Sequence, residues 1–143
     1  MGVTTMRPEI LECLKIGEHS STFAGNPLAC AAGSAAIDAL VKDNLVENSS
    51  KMGKLFKEGL LELKEKHKIV RDVRGLGLML GIEMRFDVKD ILLDGIKHGI
   101  LLLYSGRNIL RLLPPLVMDE TEVNKSLELI DVLIQNEVKR RIG

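Results

Sequence analysis

Ile69-Val70-Arg71-Asp72-Val73-Arg74-Gly75-Leu76-Gly77-Leu78-Met79-Leu80-Gly81-Ile82-Glu83-Met84 sets the architecture of this chain. Two runs rich in branched aliphatic residues, 69–73 and 78–84, flank Gly75-Leu76-Gly77. The pattern predicts two strands about a glycine turn. A dinucleotide-binding loop would need glycines spaced G-x-G-x-x-G at the opening of a helix. Here Gly81 falls one place late and the chain continues as a strand, so the glycines are read as a turn.

On the N-terminal side, apolar positions Leu45, Met52, Leu55, Phe56, Leu60 and Leu63 recur at three- and four-residue steps, which predicts a helix over 45–66. Before it, Asn26-Pro27 is an N-cap followed by a first-turn proline, opening a helix to about Lys42. Its six alanines favour helix and let another backbone approach closely. Residues 17–25 are glycine, serine and threonine dominated and read as a loop. Pro8 suits the first turn of a short helix over 9–15, ended by Gly17.

On the C-terminal side, Asp87 is placed to cap a helix through Lys97. Residues 100–104 and 109–113 predict a hairpin about Ser105-Gly106-Arg107-Asn108. Asp119 and Glu122 resemble a capping box. A last helix follows, with Val123, Leu127, Ile130, Leu133, Ile134 and Val138 on its apolar stripe and Lys139, Arg140 and Arg141 at its end. The order β-β-α-β-β-α after two helices gives an α+β class: a small antiparallel sheet covered by helices on one face.

Composition narrows the function classes. Of 143 residues, 20 are Lys or Arg and 20 are Asp or Glu, so no basic excess points to nucleic acid. The longest strongly apolar stretch, 99–104, is too short to span a bilayer, and no signal-peptide pattern opens the chain. Two cysteines, Cys13 and Cys30, make neither a disulfide framework nor a zinc site; reduced thiols in a cytoplasmic protein are expected. His19, His67 and His98 lack metal-ligand spacing, and the last two are read as solvated helix-end residues.

Two features could carry chemistry. Arg111 stands alone in Ile109-Leu110-Arg111-Leu112-Leu113, and either faces water or grips a carboxylate with its planar fork. His19-Ser20-Ser21-Thr22 leads into Gly25-Asn26-Pro27, where hydroxyls before a helix can cap it or bind an anion such as phosphate.

These features occur together and in order. Gly17-Glu18-His19-Ser20-Ser21-Thr22-Phe23-Ala24-Gly25-Asn26-Pro27-Leu28-Ala29 resembles the class III aminotransferase segment G-x-H-G-S-T-[FY]-G-G-N-P-L-A. Val73 to Glu83 is similar to that family's V-R-G-x-G-L-x-x-G-I-E, and Leu110-Arg111-Leu112-Leu113-Pro114-Pro115-Leu116 to its I-R-x-x-P-P-L. Ser20 and Ala24 replace glycines of the pattern. The short spacing from Glu83 to Gly99 looks most like the acetylornithine branch, which includes relatives acting on carrier-bound lysine precursors. Ornithine and 4-aminobutyrate are the alternative substrates.

The resemblance implies fold type I, a homodimer, and pyridoxal 5'-phosphate moving an amino group between a small-molecule donor and 2-oxoglutarate, in arginine or lysine biosynthesis. It implies that Thr22 hydrogen-bonds the cofactor phosphate held by the partner subunit, with Ser21 beside cofactor and substrate. Arg111 would pair with the substrate α-carboxylate. Residues 1–25 would be the tail of the large cofactor domain, 26–44 an interdomain helix and 45–143 the small domain. The family's Schiff-base lysine would lie upstream, so no catalytic residue is expected here and the chain alone would be inactive. The competing expectation is a stand-alone small-ligand-binding or regulatory module that has kept the scaffold.

Overall fold

The computed structural model describes residues 2–15, 17–18 and 21–142, the last without its side chain. They fall into two compact units, Met1–Asp43 and Asn44–Gly143. In the first, helix α1 covers only Pro8–Leu11 and α2 covers Pro27–Lys42. The expected extension of α1 to residue 15 does not form. Cys13 and Leu14 donate to carbonyls three residues back, as in successive turns. Helix α2 opens as expected: Asn26 Oδ1 accepts from the Ala29 N–H at 2.9 Å, and Pro27 stands at the first helical position.

The second unit is α3 (Leu45–Lys66), β1 (Val70–Leu76), β2 (Met79–Met84), α4 (Lys89–Lys97), β3 (Leu103–Ser105), β4 (Ile109–Leu112) and α5 (Glu120–Ile142). Its antiparallel sheet has the order β1-β2-β4-β3. Helices α3 and α5 cover one face. Val73, Leu80, Ile82, Leu110 and Leu112 point from the strands into a core shared with Phe56, Leu60, Ile130, Leu133 and Ile134. In β2 and β4 the intervening residues point to the other face, as a period of two requires, whereas in β1 a register shift between Val70 and Asp72 leaves Val70 and Val73 both in the core.

Three boundaries differ from expectation, each for a local reason. Leu76 pairs with Met79, so β1 runs on through Gly75 and the turn is Gly77-Leu78. Gly77 has φ +53°, the positive φ that a two-residue hairpin turn needs at its first central position. The Ile100 N–H donates to the Gly95 carbonyl at 2.9 Å, closing α4, so β3 begins at Leu103 rather than at residue 100. Asp87 precedes α4 by two places and accepts from the Lys89 N–H, while Val88 occupies the N-cap position. The capping box is reciprocal, as expected: Glu122 N–H donates to Asp119 Oδ1 at 2.8 Å and Asp119 N–H to Glu122 Oε2 at 3.0 Å.

His67 corrects the reading of a solvated helix-end histidine. It is only 9 % exposed, and its Nε2 lies 2.6 Å from Asp131 Oδ1 on α5. Lys66 and Gln135 donate to the other oxygen of that carboxylate. Burial pushes the Asp131 carboxyl up, but the hydrogen bonds from Lys66, His67 and Gln135 outweigh it and hold the group below its ordinary value. Among the described residues no helix is long and apolar enough to cross a membrane.

Candidate active site

The expected site residues lie in both units. Ser21 and Thr22 precede α2 in the first, and Arg111 stands on β4 in the second. His19 and Ser20 lie outside the described residues.

Residues 21–25 turn tightly: the Ala24 N–H donates to the Ser21 carbonyl at 3.0 Å and Asn26 Nδ2 donates to the Phe23 carbonyl at 2.9 Å. The positive φ falls on Gly25, at +66°, and Ala24 is not among the residues with positive φ, so this turn accommodates its Cβ. Asn26 performs the capping. The Ser21 and Thr22 residues are exposed, and their hydroxyls make no hydrogen bond among the described residues. Two donor hydroxyls without a capping duty, just before a helix N-terminus, are suited to an oxyanion.

Arg111 alternates with buried Leu110 and Leu112, which directs it to the uncovered face of the sheet. Pairing places Arg74, Gly81, Arg111 and Leu103 in one row across that face. Asp72 and Glu83 follow in the next row.

The three arginines of this face are used differently. Arg74 Nη1 donates to Glu83 Oε2 at 2.6 Å, and Arg71 Nη1 lies 3.0 Å from Glu83 Oε1. The bond from Arg74 holds the Glu83 carboxyl below its ordinary value, with Arg71 adding to the effect and partial burial opposing it. The same bond raises Arg74 above the ordinary arginine value. Arg111 makes no ion pair among the described residues.

Glu83 was not expected as the anchor of this face. Its signal was present: Arg74 and Glu83 each follow a buried strand residue, at positions that place both on the open face beside one hairpin.

A family model described as aminotransferase class-III matches residues 1–134. The chain belongs to the class III aminotransferases. It is 45% identical over 118 residues to the acetylornithine aminotransferase of Caldanaerobacter subterraneus, covering 82% of this chain and 30% of the relative. It is 40% identical over 128 residues to ornithine aminotransferase 1 of Staphylococcus aureus, covering 90% of this chain and 32% of the relative. The crystal structure of an acetylornithine aminotransferase from Elizabethkingia anophelis superposes with a TM-score of 0.81 at 35% identity, covering 89% of this chain and 34% of that one. The chain thus spans about a third of the length of the relatives it matches.

Membership brings pyridoxal 5'-phosphate as the family's cofactor. The residues present fit its phosphate end, through the exposed hydroxyls before α2.

Proposed function

We propose that the chain is the C-terminal part of an aminotransferase that moves an amino group between an acetylornithine-like or ornithine-like amine and 2-oxoglutarate. The observation that carries this reading is the state of Arg111. It is a permanent cation on an open sheet face, unpaired among the described residues, while its neighbours Arg71 and Arg74 are ion-paired with Glu83, and Arg74 also with Asp72. A planar guanidinium with both edges available suits the α-carboxylate of an amino or 2-oxo acid.

Ser21 and Thr22 would hold the cofactor phosphate, with Thr22 reaching the cofactor of the partner subunit in a homodimer and Ser21 also beside the substrate. The cofactor supplies an electron sink for the carbon that loses or gains the amino group. The amine that would carry it is assigned to a lysine outside these residues, so the chain by itself is proposed to be inactive. Residues 26–44 would link a large cofactor domain to the small domain, 45–143. Exposed free cysteines at 13 and 30 suit a reducing cytoplasm.

In the intact enzyme, Arg111→Lys should raise the KM for 2-oxoglutarate by about 100-fold, because a point charge replaces a two-pronged donor. An unchanged KM would overturn the role of Arg111. Transamination above background by the 143-residue chain alone, supplied with cofactor, would overturn its reading as a dependent part.

A further inference from the structure

The glycines around the first hairpin are present for different reasons. A Cβ at Gly53 would meet the Gly77 carbonyl carbon at 2.2 Å, and one at Gly75 would meet the Met79 carbonyl oxygen at 2.2 Å. Packing demands glycine at both. Gly81 is different. A Cβ there would touch the Ile109 Cγ2 at 3.4 Å and two carbonyl oxygens at 3.9 Å, all ordinary contacts, and its φ is not positive.

Glycine inside a strand loses conformational freedom and contributes no side chain, and it often marks a place where a ligand approaches the backbone. Gly81 sits on central strand β2, directly paired with Arg111 on one side and Arg74 on the other. Arg111 is flanked across β3 by Leu103, whose side chain occupies that side of the row. The Gly81 side alone is bare backbone. Facing side chains on neighbouring strands have Cβ atoms about 5 Å apart, so any side chain at 81 would stand beside the stem of Arg111.

We infer that Gly81 is a specificity-determining residue: it leaves a floor of bare β2 backbone on which the carbon chain of a carboxylate held by Arg111 can lie. This rests on the reading of Arg111 as the carboxylate anchor. A short carboxylate needs only the guanidinium fork, whereas a five-carbon dicarboxylate lying along this row would also cross β2 beside position 81.

The test uses the intact enzyme with its cofactor and two probes, glutarate and acetate, titrated calorimetrically against the parent, Gly81→Ala, Gly81→Leu and Arg111→Lys. Thermal unfolding is followed for each. Gly81→Ala should melt no lower than the parent yet weaken glutarate about 10-fold, and Gly81→Leu about 100-fold, as added carbons in a fitted site do. Acetate should change less than about threefold in both, while Arg111→Lys weakens both probes by about 10-fold or more. Glutarate binding unchanged in Gly81→Leu but weakened in Arg111→Lys would overturn the inference and leave Arg111 as anchor. Both probes unchanged in Arg111→Lys would overturn the anchor itself. A lowered melting temperature in Gly81→Ala, or equal loss of both probes, would make Gly81 a structural glycine and overturn the inference.

Discussion

Helices α2 and α5 are both long and both begin with a side-chain cap, yet they exist for different reasons. None of α2 is buried; Leu28, Ile37 and Val41 are 82 %, 61 % and 72 % exposed. Helix α5 places Val123, Ile130, Leu133 and Ile134 in the core at 1 % exposure or less. Local rules suffice for α2: alanine propensity, the Asn26 cap and Pro27. Sixteen residues held by such rules are only marginally helical in water, whereas an amphipathic face against a sheet adds most of a helix's stability. The lesson is that equal legibility in sequence does not mean equal stability in the fold.

The largest expected effect tests that contrast directly. Leu133→Ala should lower the unfolding free energy in urea by about 3 kcal/mol, since it removes a buried side chain and leaves a cavity. Ile37→Ala in α2 should cost nothing and can gain a few tenths of a kcal/mol, because alanine is the better helix former. Similar losses at both positions would break the comparison.

A second, smaller effect lies where α4 meets α5. Glu137 is buried at 1 % exposure and takes hydrogen bonds from Arg140 and Arg141; Arg140 also reaches Asp94 on α4, and Arg141 lies 3.8 Å from the Phe86 ring centre. Glu137→Ala should cost about 2 kcal/mol in thermal or urea unfolding, because it leaves two half-exposed guanidinium groups without their shared anion. A change below about 0.5 kcal/mol would show that Asp94 and Asp90 suffice for Arg140 and the Phe86 ring for Arg141.

Glu137 also marks the limit of what was legible. A glutamate near a basic helix end reads as a solvated face, whereas here it is 1 % exposed. Helix α3, α5 and the two hairpins were legible because apolar spacing and turn residues are local signals. His67 was not: its burial depends on Asp131, 64 residues away. The β3 boundary failed for a local reason instead, since residues 100–102 have strand composition but the Ile100 N–H is taken by the end of α4. At the candidate site, Arg111 and the hydroxyl pair could be singled out by type and position. The Glu83 clamp required strand register, which a single strand does not declare.

The Asp131 cluster gives a third effect with a defined pH window. Its folded value lies below the unfolded value near 3.8, so the stabilisation is fully present above that value and is lost as pH falls through the lower folded one. Asp131→Asn should therefore cost about 1–2 kcal/mol at neutral pH, for a charge-assisted pair at a partly exposed site. The gap between variant and parent should narrow as pH falls below the unfolded value near 3.8 and close once it has passed the lower folded one. A gap independent of pH would mean that packing, and not the carboxylate charge, joins α3 to α5.

The smallest effect returns to the two caps. Asn26→Ala removes the acceptor for the Ala29 N–H, and Asp119→Ala removes the acceptor for the Glu122 N–H. Each loss is worth about 1 kcal/mol at its helix N-terminus. The consequences should differ in reach. In α5, Val123 lies at 0 % exposure one residue beyond Glu122, so packing stops the fraying there and amide exchange should quicken only at Glu122 and its N-terminal neighbours. In α2 no buried residue stops it, and exchange should quicken from Ala29 through the following turns. If Asn26→Ala frays no further than Asp119→Ala, then α2 is held by more than its own propensity and cap.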